Sequence, residues 1–229
     1  MNKLSPARKS ISIVLKTVVF LSAVIGTLLS AYAGRHSFMG GSRVFMFFTI
    51  QSNIAVALIS LIGCCLLLKN KPINNAWAVI KFVGTVSITL TGMVFACVLA
   101  PTFWASAWNI QNTLTHDIVP LAAIIDFFVV SPAFEIKNRN TVWVIVPPIL
   151  YAIYAGIGFV RGWEFIEGIN YPYFFLNWGS PAGAFGFSKE LPFMGCAWWI
   201  LALLLFLLCV GRLYLAIAAG IRKRAQKRG

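Results

Sequence analysis

Charge is what this chain lacks. Only 11% of its 229 residues are Asp, Glu, Lys or Arg, whereas soluble domains carry about 25%. Together with a mean hydropathy of +0.83, this excludes a water-soluble fold. Acidic residues are scarcest: six Asp and Glu stand against nineteen Lys and Arg, a net charge of +13. Such an excess points to nucleic acid only when the basic residues gather on one folded surface. Here they fall between long apolar runs, so no nucleic-acid partner is indicated. The five cysteines, Cys64, Cys65, Cys97, Cys196 and Cys209, form no CxxC or Cys/His spacing. Neither a metal site nor a redox motif nor any other cofactor is therefore expected. No two interrupted apolar segments lie at matching positions in two halves of the chain, which argues against an inverted-repeat transporter.

Long apolar runs are what the chain has instead. About 20 residues of helix cross ~30 Å of hydrocarbon, and six runs are that long: 13–33, 44–68, 76–100, 109–130, 141–160 and 192–216. The expected fold is all-α, a single polytopic membrane domain over 1–229 built as a bundle of six transmembrane helices. A long aromatic outer loop would span 161–191 and a basic cytoplasmic tail 217–229. Lys3, Arg8, Lys9, Lys69, Lys71, Lys137, Arg139, Arg222, Lys223, Arg224, Lys227 and Arg228 fall on one side, and Arg35, Arg43, Arg161 and Lys189 on the other. The positive-inside rule then puts both termini in the cytoplasm. The first run also imitates a signal peptide ending at Ala31-Tyr32-Ala33, but it exceeds the 7–15 residues of a signal h-region, so its retention as a span is expected.

Ionisable residues inside such runs are costly and mark sites by default. The fourth run holds His116 and Asp117. Asn109, Asn112, Thr113 and His116 follow the i, i+3, i+4, i+7 rule and share a face with Pro120, while Asp117 is rotated by about 100° and needs its own partner. In the second run Thr49, Ser52 and Asn53 share a face. Both runs start on the outer side, with Thr49 about five and His116 about seven residues in, so at ~1.5 Å per residue they lie at nearly the same depth. A hydroxyl and an imidazole at one depth can form a nucleophile and a general base, with Asn53 or Asn112 as amide donors to an oxyanion. The other reading of the same polar face is a proton path or ligand site in a non-enzymatic carrier, channel or lipid-binding protein.

Elsewhere the expectations are structural. Thr85, Thr89, Gly92 and Ala96 form a small-residue packing stripe. Lys81 snorkels to the cytoplasmic interface, and Asp126 bonds to backbone or to a basic loop residue. Pro147-Pro148 kinks the fifth helix at its middle. The aromatic residues from Trp163 to Phe187 serve as an interfacial belt and as a lid.

FFTIQSN (Phe47 to Asn53), LTHDIVP (Leu114 to Pro120), RGW (Arg161 to Trp163) and YPYFFL (Tyr171 to Leu176) together resemble the androgen-induced-gene membrane proteins. More closely they resemble the bacterial "Pr-six-Pr" membrane proteins, over residues from about Ile13 to Ala216. The resemblance implies hydrolysis of fatty acid esters of hydroxy fatty acids in a bacterial cell membrane, with Thr49 and His116 as the catalytic pair. This chain departs from the animal pattern at Gln51-Ser52-Asn53 and at Asp117. On this reading the substrate is a membrane lipid or lipid-like molecule entering from the outer leaflet, and Arg35, Arg43 or Arg161 holds its head group.

Overall fold

The computed structural model describes residues 4–35, 41–102 and 107–227; Lys3 and Arg228 of the predicted charge bias lie outside them. The described residues are all-helical, and six helices are long and apolar enough to cross a membrane. They are α1 (Pro6–Gly34), α2 (Phe48–Leu68), α3 (Asn75–Thr102), α4 (Ile110–Ala133), α5 (Asn138–Val160) and α6 (Cys196–Gln226). Six successive spans put the start of α1 and the end of α6 at the same end of the bundle.

Local chemistry explains where these helices begin. Ser5 caps α1 by accepting from the Arg8 amide, and Pro6 occupies the first turn, where a missing N–H costs nothing. Asn74 caps α3 through the Trp77 amide, and Asn109 caps α4 through the Asn112 amide.

Three boundaries differ from the sequence expectation. The run from Val44 does not start α2: residues Gly41–Met46 form a separate 3-10 turn and the helix begins at Phe48. Pro147-Pro148 does not kink the middle of α5. The segment Asn138–Ile145 is 3-10, and the α-helix proper starts at Val146, so both prolines sit in its first turn, where no amide is needed. The outer loop runs on to Gly195, and the basic stretch after residue 216 is no separate tail but continues α6 to Gln226.

The most buried span is α3, with 61% of its apolar window inside the protein, against 22% for α5 and for α6. It packs against α2, α4, α5 and α6, while α1 packs against α2 and α4. Near the end of the bundle where α1 starts the core is aromatic: Phe82, Phe127, Phe134 and Tyr214 meet there. The expected packing stripe on α3 is present. Thr85 and Thr89 return their hydroxyls to the carbonyls of Lys81 and Thr85, and Thr89 also meets the Tyr214 hydroxyl at 3.1 Å.

Deeper in the same half lies a cluster that contradicts two expectations. Lys81 does not snorkel and Asp126 does not bond to a loop. Asp126, 1% exposed, accepts from both Lys81 and Lys16, and each of these lysines is 4% exposed. Ser12 donates to the other carboxylate oxygen, and Lys16 also donates to Ser12 at 2.9 Å. Both lysines therefore turn inward, because a carboxylate held between α1, α3 and α4 solvates them better than the distant interface would. Nearer that end of the bundle the predicted topology residues also tie helix ends. Arg8 donates to the Val129 carbonyl at 2.9 Å, and Arg222 donates to the Phe134 carbonyl while pairing with Glu135 at 3.0 Å.

Asp126→Asn leaves two ammonium groups without their carboxylate and is expected to cost about 3–5 kcal/mol. Thermal unfolding in detergent should show a large drop in midpoint, with much of it restored in the triple variant that also carries Lys16→Met and Lys81→Met. An unchanged midpoint for Asp126→Asn would show that the cluster contributes little.

Candidate functional site

In the outer half, α4 is not a regular helix. Its turn Leu114–Ile118 is a π turn containing Thr115, His116 and Asp117. Pro120 explains it: four residues after His116 it offers no N–H, so the His116 carbonyl cannot close an ordinary α turn and the backbone widens. The neighbouring span repeats the device, with a π turn at Phe95–Leu99 and Pro101 four residues after Cys97. The two turns meet, and the Phe95 ring stacks on the His116 imidazole at 3.8 Å between centroids.

Two glycines allow this approach. A Cβ on Gly92 of α3 would stand 2.8 Å from the His116 carbonyl oxygen, and one on Gly26 of α1 would stand 2.7 Å from the Thr115 methyl. The π turn is thus clasped from both sides by helices that carry no side chain at the contact.

His116 is almost fully buried. Its Nδ1 lies 3.1 Å from the Asn112 carbonyl and 3.0 Å from the Thr115 hydroxyl, which itself donates to the Gln111 carbonyl. A carbonyl can only accept, so the proton sits on Nδ1 and the lone pair on Nε2. That lone pair faces Thr49 Oγ1 at 3.4 Å. The geometry suits a base next to a hydroxyl, at a separation that tightens when a ligand closes the site.

Thr49 stands in the first turn of α2, after Phe47, where backbone amides have no intrahelical partner and the helix dipole is positive. Its carbonyl accepts from Ser52 at 3.0 Å and from Asn53 at 2.8 Å. Its amide donates to the Tyr173 hydroxyl at 3.4 Å.

The sequence-predicted residues now sort themselves. Thr49 and His116 are together, and Ser52 sits beside them, bonded to Thr91 across to α3 at 2.8 Å. Asn53 is fully buried, but both donors of its amide go to backbone carbonyls, those of Thr49 and Thr115. Asn112 donates to the Ala107 carbonyl. These two amides hold α2 to α4 and brace the start of α4; Asn53 has no N–H left for an oxyanion, and Asn112 does not line the cavity beside Thr49, a correction to the expectation. Asp117 is half-buried, points away from the pair, and makes no hydrogen bond or ion pair among the described residues. Arg43 pairs with Glu164 at 2.8 Å and Arg35 lies over the Tyr32 ring at 3.9 Å. Neither they nor Arg161 line a cavity next to Thr49, so the head-group role expected of them has no support in the geometry. The five cysteines are free thiols.

On the side away from His116, Thr49 borders a narrow cavity of about 60 Å³. Leu90, Val94, Leu99, Ile200, Leu203 and Leu204 make it apolar, and the hydroxyls of Thr49, Thr91, Tyr151 and Tyr173 belong to its wall. The aromatic loop closes it from outside. Phe165, Phe175 and Leu176 are buried, and Tyr173 stacks on Phe175 at 5.1 Å and meets Phe47 edge-on at 5.7 Å. Phe185 and Phe187 instead lie exposed at 70% and 75%, in the position of an interfacial belt. Phe48 and Tyr151, 5.3 Å apart, separate the cavity from a lateral apolar groove of about 670 Å³ between α2, α3 and α5.

Three features escaped the sequence reading. Lys16 lay unremarked in the first run, the π turns were signalled only by Pro101 and Pro120, and Tyr173 was one aromatic among many in the loop. Comparison with protein-family models, with curated proteins and with solved structures finds no match to this chain.

Replacing Gly92 by Ala forces its Cβ against the His116 carbonyl and is expected to cost about 1–3 kcal/mol. Gly220→Ala, where nothing lies within 4 Å of the added carbon, is the control and should be neutral or stabilising. Unfolding midpoints of the two variants that move together would contradict the close packing at the π turn.

Proposed function

We propose that this membrane protein is an intramembrane hydrolase of lipid esters, with Thr49 as nucleophile and His116 as general base and acid. The observation that carries the reading is the Oγ1 to Nε2 approach of 3.4 Å with the proton placed on Nδ1, at the edge of an apolar cavity. The resemblance of FFTIQSN and LTHDIVP to the androgen-induced-gene and "Pr-six-Pr" membrane proteins supports the same pair, and bacterial origin belongs to this proposal.

In this reading Thr49 Oγ attacks the ester carbonyl carbon while its proton passes to His116 Nε2. The tetrahedral adduct collapses, the bond from carbon to the alkyl oxygen breaks, and His116 returns the proton to the departing alkoxide as it becomes an alcohol. Water then attacks the acyl-Thr49 ester, giving its proton to His116, which restores the Thr49 hydroxyl as the fatty acid leaves. The Asn112 carbonyl, rather than a carboxylate, steadies the imidazolium through Nδ1–H. The cavity of about 60 Å³ takes the first few carbons of the acyl chain, and the lateral groove of about 670 Å³ takes the rest once the Phe48–Tyr151 wall parts.

A carrier, channel or lipid-binding role remains the second reading, since it too would use a buried imidazole beside an apolar cavity. Turnover of p-nitrophenyl octanoate by purified protein in nanodiscs separates the two. Thr49→Ala and His116→Ala should each lower kcat by about 100-fold or more, with unfolding midpoints close to that of the parent and with Thr49→Ser retaining partial activity. Full turnover in either alanine variant would refute the hydrolase reading.

A further inference from the structure

An ester carbonyl attacked by Thr49 develops negative charge on its oxygen, and catalysis of acyl transfer depends on a donor placed where that charge appears. The obvious donors are occupied or lie off the cavity. The Asn53 amide serves the Thr49 and Thr115 carbonyls, and Asn112, with one N–H on the Ala107 carbonyl, does not line the cavity. Ser52 and Thr91 bond to one another and to backbone carbonyls. Tyr151 donates to the Met46 carbonyl at 3.2 Å.

Tyr173 differs from all of these. It comes from the outer loop and lines the cavity directly beside Thr49. The Thr49 amide donates to its oxygen at 3.4 Å, and the hydroxyls of Thr49 and Tyr151 stand close by. Tyr173 is the acceptor in the bond with the Thr49 amide, and among the described residues its O–H enters no hydrogen bond. A phenol that accepts from a backbone amide at a helix N-terminus is polarised toward donation. Burial also holds it above its ordinary pKa, although the donors around it pull the other way, so at neutral pH it keeps its proton.

We propose that the Tyr173 hydroxyl is the oxyanion donor of this site, directing its unallocated O–H to the carbonyl oxygen of an ester whose acyl chain occupies the cavity. The proton stays on the phenol throughout; it is shared with the oxyanion as the tetrahedral adduct forms and released from it as the adduct collapses. The loop is then more than a cover, because docking its Tyr173 against the start of α2 completes the site. This rests on the hydrolase reading, and its test keeps the two apart.

Tyr173→Phe removes the O–H and leaves the ring contacts with Phe47 and Phe175. With p-nitrophenyl octanoate, kcat should fall about 100- to 1000-fold. KM, and the inhibition constant of the non-hydrolysable octyl p-nitrophenyl ether, should stay within about twofold of the parent values, because neither ligand carries an oxyanion in its ground state. Activity of Thr49→Ala would sink the hydrolase reading itself. An inactive Thr49→Ala beside a Tyr173→Phe protein of normal kcat would overturn only the role of Tyr173, and so would a loss confined to KM. If Tyr173→Phe does not fold, replacement of Tyr173 by fluorotyrosines of graded acidity decides the matter, measured at a pH where all remain protonated. A kcat that tracks phenol acidity supports donation, and a flat series overturns it.

Discussion

A polar group in hydrocarbon has no water to fall back on, so it gains by finding a partner within the chain, and most of those in these spans do. That constraint organises the molecule at two depths. Toward the end where α1 starts, one carboxylate gathers two lysines and a serine from α1 and α3 onto α4. Toward the outside, Thr49, Ser52, Asn53, Thr91, Thr115 and His116 hydrogen-bond across α2, α3 and α4. Two helices, α3 and α4, take part in both layers, so the charged cluster helps to fix the framework on which the other site is held. Within the described spans Asn53 Oδ1, Thr27 Oγ1 and Ser87 Oγ are buried without a partner.

Proline does the shaping in the outer layer. Pro101 and Pro120 each deprive a carbonyl four residues earlier of its donor, and each is preceded by a π turn. A wide turn rotates the side chains within it relative to a regular helix. Here that brings His116 onto Phe95 and toward α2, while Asp117 turns away. The two π turns can touch only because α3 presents Gly92 at the contact.

Much of this was legible in the sequence, in proportion to how local its cause is. Apolar run length marks six spans, and helical periodicity with equal depth singles out Thr49 and His116 before any contact is known. Direction was harder to read. A sequence shows that Asn53 and Asn112 carry amide donors, but not that carbonyls of Thr49, Thr115 and Ala107 already hold them. Lys81 near a helix end reads as a snorkelling lysine, because the carboxylate that draws it inward lies 45 residues away in the chain. Lys16 was hidden by a run that looks like a signal peptide. Pro147-Pro148 suggested a mid-helix kink only because the last residues of the 3-10 segment before it, Val142 to Ile145, are apolar and prolong the run of the α-helix. Tyr173 could not be separated from its aromatic neighbours, since its distinction lies in facing the first turn of α2.

The account stands on Thr49 being a nucleophile rather than a packing hydroxyl. The most direct measurement is peptide mass spectrometry of the purified protein after reaction with a long-chain alkyl fluorophosphonate. A phosphonyl adduct on Thr49 that is absent from His116→Ala and suppressed by a competing lipid ester is the predicted result. A protein left unlabelled, or labelled at another residue with Thr49 untouched, would contradict it.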